Sequence, residues 1–163
     1  KEIVEAVKKN PLTRALRIDK LTLTALESTL RLYWDEDQAV SRIPTLRMLT
    51  LPFEIIEKRA ESLNVGLKRI EDPRLTVRLS DCTSRSGGGA FPLQDLPSRC
   101  LTVAIHGLSP NTVEAAMRNH TPPIIGRIED DQFVLDVRTV QDDELTIIQN
   151  AFEKLLRGPD HDD

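Results

Sequence analysis

Apolar residues fall at spacings of three and four through the first part of the chain and at spacings of two from about residue 75, so helices come first and strands later. Ile3, Val4 and Val7 share one face of a helix already under way at Lys1. Asn10-Pro11 ends it, because Asn suits a cap and proline keeps its predecessor out of the helical region. The chain starts in mid-pattern and without Met, so we expect a piece of something longer, with the partner of that apolar face lying elsewhere. A second helix is expected from an N-cap at Asp19 to Trp34, with Leu23, Leu26, Leu30 and Tyr33 on one stripe. Leu21, Ala25 and Leu32 widen that stripe and predict a helix covered on more than one side, as if lodged between two domains. Asp35-Glu36-Asp37 reads as solvated surface and Ile43 to Leu49 as a short helical stretch. Pro52 suits the first turn of a further helix, whose face of Phe53, Ile56, Ala60 and Leu63 runs until a stop at Gly66.

Two alternating runs then predict strands: Leu75, Val77 and Leu79, and later Leu101, Val103 and Ile105. Ser109 followed by Pro110 marks the start of a helix carrying Val113, Ala116 and Met117 to about Arg118. Residues 124–128 and 132–137 flank Glu129-Asp130-Asp131 and predict a hairpin with a short polar turn. A last helix over 142–156 should bury Leu145, Ile148, Phe152 and Leu155 before Gly158-Pro159 stops it. The fold class read from this order is α+β, with N-terminal helices followed by a small antiparallel sheet that carries helices on one face.

Composition narrows the function. A chain of 163 residues with 39% hydrophobic and 29% charged residues can form a core, while 4% aromatic residues leave few platforms for stacking bases. The net charge of −4 argues against a free-standing DNA or RNA binder. No apolar run reaches the roughly 18 residues of a membrane span and the N-terminus lacks a signal-peptide core, so we expect a soluble, unexported, cytoplasmic protein. Cys82 and Cys100 match no disulfide framework or metal-ligand spacing, and a reduced pair is expected, Cys82 as a small half-buried side chain or a reactive thiol.

Among chemistry-bearing residues, Arg14 and Arg17 lie three apart just before Asp19, a spacing that lets two guanidiniums close on one oxyanion with forked hydrogen bonds. The plainer reading is two solvated arginines, one paired to Asp19, and spacing alone leaves both open. Gly87-Gly88-Gly89 invites an anion cradle but lacks the Lys-Ser/Thr of a P-loop, so close approach of two backbones at a strand entry is the expected use. Arg127 and Arg138 stand among apolar neighbours, facing either a ligand carboxylate or the polar side of a strand. His106 and His120 lack partners at triad spacing, and neither is offered as catalytic.

The stretch from Asn10 to Tyr33, with Arg14-Ala15-Leu16-Arg17-Ile18-Asp19-Lys20-Leu21 at its centre, resembles the segment that follows the cofactor lysine in bacterial selenocysteine synthases, the L-seryl-tRNA(Sec) selenium transferases. Blocks at 43–50, 86–93, 123–128 and 135–140 continue the likeness in order, with weaker specificity in Gly87-Gly88-Gly89 and Ile125-Gly126-Arg127. The resemblance implies the C-terminal part of a pyridoxal-phosphate enzyme of the aspartate-aminotransferase-like fold. Residues 1–43 would be the tail of the cofactor domain and an interdomain helix, and residues 44–163 a C-terminal α+β domain. Such enzymes form homo-oligomers and convert seryl-tRNA(Sec) to selenocysteinyl-tRNA(Sec), losing water from serine and adding selenium from selenophosphate. The resemblance also implies that Arg14 and Arg17 hold the oxyanion of the selenium donor.

The family's cofactor lysine lies in a Ser-Gly-Asp-Lys-Leu-x-Gly-Gly-Pro setting. Asp19-Lys20-Leu21 echoes its centre, but Thr22 and Leu23 stand where glycines should follow, so Lys20 is not expected to be that lysine and the chain should be inactive by itself. The competing readings are an independent α+β interaction or ligand-binding module and a piece of a sister pyridoxal-phosphate lyase. A self-contained module should cover Ile3, Val4 and Val7, whereas a piece should leave them exposed.

Overall fold

The computed structural model describes residues 1–85, 87 and 95–158. It divides into two compact units, Lys1–Thr50 and Leu51–Asp163.

The first unit is a string of short helices whose ends are set by local side chains. Helix α1 (Glu2–Lys9) ends at Asn10, and the side chain of that same Asn10 accepts from the Leu12 amide to open α2 (Pro11–Ala15), a helix the periodicity did not foretell. Asp19 caps α3 (Lys20–Leu32) as expected, its carboxylate accepting from the Thr22 amide at 2.9 Å and the Thr22 hydroxyl at 2.6 Å. Asp35 likewise caps α4 (Glu36–Arg42), so the acidic run, exposed as expected, also starts a helix. Helix α5 (Pro44–Thr50) closes the unit. The covered helix expected over 19–34 is not found: α3 buries no residue, and Leu21 is 84% exposed. Ile3 at 80% and Val4 at 57% are also open. A 13-residue helix amid short neighbours has no apolar surface within its own unit broad enough to cover it.

The second unit is the α+β element that the alternation called for. Helix α6 (Phe53–Lys68) precedes β1 (Leu75–Ser84) and β2 (Leu96–Ile105). Next come α7 (Pro110–Arg118), β3 (Arg127–Glu129), β4 (Gln132–Asp136) and α8 (Glu144–Arg157). The strands form one antiparallel sheet in the order β1-β2-β4-β3. Register sets Leu75, Val77 and Leu79 opposite Ile105, Val103 and Leu101, and sets Leu101 and Val103 opposite Leu135 and Phe133. This apolar face packs on Ile56, Ala60, Leu63 and Leu67 of α6, Val113 and Met117 of α7, and Ile148 and Phe152 of α8. Phe133 and Phe152 meet edge to face with ring centroids 6.3 Å apart.

Several local choices follow from sequence chemistry. Ser109 caps α7 through the Thr112 amide, and Asp130 and Asp131 both take positive φ, as a two-residue hairpin turn between right-twisted strands requires. Gly66 does not stop α6, which continues to Lys68 and buries Leu67. A Cβ at Gly66 would stand 2.7 Å from the Gln149 side-chain oxygen of α8, so the glycine serves close packing between helices. In the last helix Ala151 and Leu156 join Ile148 and Phe152 in the core, while Leu145 and Leu155 pack at its margin.

The reduced cysteine pair expected from sequence is also corrected. Cys82 and Cys100 form a disulfide, because register pairs Cys82 with Ser98 and Ser80 with Cys100, which sets the two cysteines diagonally on one sheet face with Cα atoms 5.9 Å apart. Among the described residues no helix is long and apolar enough to cross a membrane.

Two measurements check this packing. Phe152 is fully buried, so Phe152→Ala should destabilise the chain by about 3 to 5 kcal/mol in urea unfolding through lost burial and a residual cavity. A change under about 0.5 kcal/mol would place Phe152 on the surface instead. Arg59 of α6 donates to both carboxylate oxygens of Asp142 and to the Val140 carbonyl, and the guanidinium bond holds the Asp142 carboxyl below its ordinary value. A depressed carboxyl contributes stability that is present above the unfolded value of about 4 and lost as pH falls through the folded one. Asp142→Asn should therefore flatten the acid limb of the stability profile below about pH 4 and leave the slope near neutrality unchanged.

Candidate functional site

Arg14 sits in the last turn of α2 and Arg17 just beyond it, in the link to Asp19. Both are exposed. The Asn10 and Asp19 caps fix the two ends of this segment, so the arginines are presented on a short, locally braced stretch. The pairing to Asp19 weighed above is not made: the Asp19 carboxylate is engaged by Thr22, whose hydroxyl, and then whose amide, hold its carboxyl below the ordinary value. Among the described residues no carboxylate lies within ion-pair distance of Arg14 or Arg17. Two cations three residues apart, neither neutralised, can receive an oxyanion without first breaking a salt bridge.

Arg127 and Arg138 belong to a different setting. The polar sheet face ends in the carboxylate of Asp136, which accepts from the Ser84 hydroxyl at 2.5 Å, the Ser98 hydroxyl at 2.7 Å and the Arg138 amide at 3.1 Å. Arg127 bonds Glu129 at 2.9 Å and reaches Asp136 at 3.6 Å. Arg138, in a 3-10 turn over Val137–Thr139, is buried and donates to the Pro97 carbonyl at 2.5 Å. Burial pulls its guanidinium below the ordinary value, and the Asp136 carboxylate opposes that shift. The geometry thus gives both arginines internal partners. Sequence reasoning missed Asp136 as the centre of this cluster, since its hydroxyl donors come from residues 38 and 52 positions away.

Gly87 is an exposed bend, and among the described residues nothing lies within 4 Å of where its Cβ would stand. Gly88 and Gly89 lie outside the described residues. His106 is exposed, and His120 contacts the Pro122 carbonyl through Nδ1 at 3.0 Å.

The chain thus joins, in sequence, a helical unit that presents two exposed guanidiniums to an α+β unit with its own core. The family model described as L-seryl-tRNA selenium transferase matches residues 1–141. Relatives carrying the name L-seryl-tRNA(Sec) selenium transferase include one from Geobacter sulfurreducens, 45% identical over 155 residues that make up 95% of this chain and 34% of the relative. One from Alkaliphilus metalliredigens is 42% identical over 154 residues, 94% of this chain and 33% of the relative. The chain belongs to the L-seryl-tRNA selenium transferase family. It spans about a third of the length of the curated relatives it matches.

The resemblance brought pyridoxal phosphate with it, and Lys20 is the lysine whose neighbours echo the family's. It occupies the exposed first position of α3, and the carboxylate beside it is already used by Thr22. An exposed helix start with no enclosing side chains does not fit a pyridine ring and phosphate, and we derive no step through that group.

Removing the hub of the polar cluster should be costly. Asp136→Ala leaves two hydroxyls and an amide short of an acceptor and takes one of two carboxylate partners from Arg127, and we expect a loss of about 3 kcal/mol in urea unfolding. Stability unchanged in that variant would mean the cluster is solvated and carries no structural role.

Proposed function

We propose that the chain is the C-terminal part of a pyridoxal-phosphate-dependent selenium transferase that converts seryl-tRNA(Sec) to selenocysteinyl-tRNA(Sec), with selenophosphate as donor. On this reading the cofactor lysine and most of the cofactor and tRNA contacts belong to other parts of the parent, and the chain alone is inactive. Residues 1–43 are the tail of the cofactor domain and an interdomain helix, and residues 44–163 the C-terminal domain. The parent is a cytoplasmic homo-oligomer. In the parent, residues outside this chain would hold pyridoxal phosphate, which would supply the electron sink for loss of the serine α-proton and water. The residues of this chain contribute anion capture: Arg14 and Arg17 hold the phosphoryl oxyanion of the donor, orienting its selenium toward the acceptor carbon.

The observation that carries the reading is the pair of exposed, uncompensated guanidiniums at Arg14 and Arg17 inside the segment matched by the family. The open apolar faces at Ile3, Val4 and Val7 add support, since a self-contained module should have covered them.

In the intact parent, Arg14→Ala or Arg17→Ala removes a charge-assisted contact of about 1.5 to 3 kcal/mol, so donor-dependent turnover should fall roughly tenfold to a hundredfold. Lysine at either position should restore part of the rate, because it keeps the charge and loses the planar fork. The cofactor absorbance should be unchanged in all these variants. Near-normal turnover, with small effects that vanish in salt, would return both residues to the solvated surface. The isolated chain, reduced with borohydride in the presence of pyridoxal phosphate, should show no dominant labelled lysine on peptide mapping. Stoichiometric labelling of Lys20 would overturn the assignment of the cofactor lysine to another part of the parent.

A further inference from the structure

The disulfide sits in an environment that neither the family match nor the proposed reaction uses. Cys82, on edge strand β1, is half-buried, whereas Cys100, on central strand β2, is 1% exposed. Arg127 Nη2 lies 3.6 Å from Cys100 Sγ. The two sulfurs and an Asp136 oxygen lie within 4.8 Å of one another, a spacing that a reduced pair could offer to a metal ion. Two features argue against that use. The Asp136 oxygens already accept from Ser84, Ser98 and the Arg138 amide, and a guanidinium stands beside both the carboxylate and the buried sulfur. A divalent cation would meet a fixed positive charge, whereas a thiolate would be stabilised by it.

We propose that Cys82 and Cys100 are a redox-active pair that exchanges two electrons with an external thiol reductant, Cys82 being the attacked sulfur and Cys100 the leaving thiolate beside Arg127. The asymmetry of exposure sets the direction, because an incoming thiolate meets the half-buried edge-strand cysteine while Cys100 is shielded. It forms a bond to Cys82 Sγ, the Cys82–Cys100 bond breaks, and the electron pair goes to Cys100 Sγ. A second thiolate of the reductant then attacks the mixed disulfide at its own sulfur. The reductant leaves as a disulfide, and Cys82 is released as a thiolate that takes a proton from water. Oxidation is the reverse, with an external disulfide as electron acceptor. Arg127 also bonds Glu129 and approaches Asp136, so its charge is shared, yet its guanidinium stays in contact with the buried sulfur. In a reducing compartment a cysteine pair that forms a disulfide does so transiently, in catalysis or redox sensing, which this arrangement suits.

The test equilibrates the chain in glutathione buffers of graded ratio, quenches in acid, blocks thiols with a maleimide and reads the mass. Both thiols should appear together at one midpoint. With Cys100→Ser, oxidised glutathione should add to Cys82, and with Cys82→Ser the addition to Cys100 should be at least roughly tenfold slower, since thiol exchange depends on access. Arg127→Gln should shift the midpoint toward the disulfide and slow reduction roughly tenfold, the equivalent of one pKa unit of thiolate stabilisation, while Arg127→Lys keeps most of the wild-type rate. Thiols that stay unpaired in oxidised glutathione, faster labelling of Cys100, or a wild-type midpoint and rate in Arg127→Gln would each overturn the proposal. Should Arg127→Gln fail to fold by circular dichroism, the comparison of the two serine variants decides it.

Discussion

The register of β2 governs the second unit. This strand is hydrogen-bonded on both sides, to β1 and to β4, so its period-two alternation is imposed on its neighbours. Leu101, Val103 and Ile105 go to the face covered by α6, α7 and α8, while Ser98, Cys100 and Thr102 go to the other. A slip of one residue would turn the whole apolar row away from the helices. The core and the Asp136 cluster are therefore two products of one constraint. The same pairing that aligns Leu101 with Leu135 also aligns Cys100 with Asp136.

The two units reach order by different routes. In the second, apolar burial dominates, and among the described residues eighteen buried ones form a single cluster. In the first, ordering is local: Asn10, Asp19 and Asp35 each satisfy backbone amides at a helix start, and Ala39 is its buried apolar residue. Capping can define where such helices begin, but helices this short gain little stability without a packed face. Membership of a family whose curated relatives are about three times as long agrees with a unit whose apolar faces are left open.

Chemistry follows the same division. Arg14 and Arg17 stand exposed at the surface, and the Asp19 carboxylate that follows them in the chain is spent on a cap. In the second unit, arginines are drawn into the structure, Arg59 to Asp142, Arg138 to Pro97 and Arg127 to Glu129, Asp136 and the edge of a disulfide. A guanidinium that is already hydrogen-bonded serves to position or to stabilise a neighbouring charge, whereas one left open is available to an incoming anion.

Sequence by itself determined whatever depends on neighbours in the chain. The caps at Asp19 and Ser109, the alternation of β1 and β2, the hairpin turn at Asp130-Asp131 and the end of α8 at Gly158 all rest on contacts within a few residues. The three-residue spacing of Arg14 and Arg17 is local in the same way, and the role proposed for the pair rests on that spacing and on a likeness. What sequence reading got wrong or missed depended on distant partners. Gly66 looked like a stop until Gln149, 83 residues later, was found against it, and α3 looked covered although nothing in its unit buries it. The Cys82–Cys100 bond spans 18 residues, and the Asp136 hydroxyl donors lie 38 and 52 residues away. Such contacts follow from strand register, and register is fixed only when the whole sheet buries its apolar face against the helices.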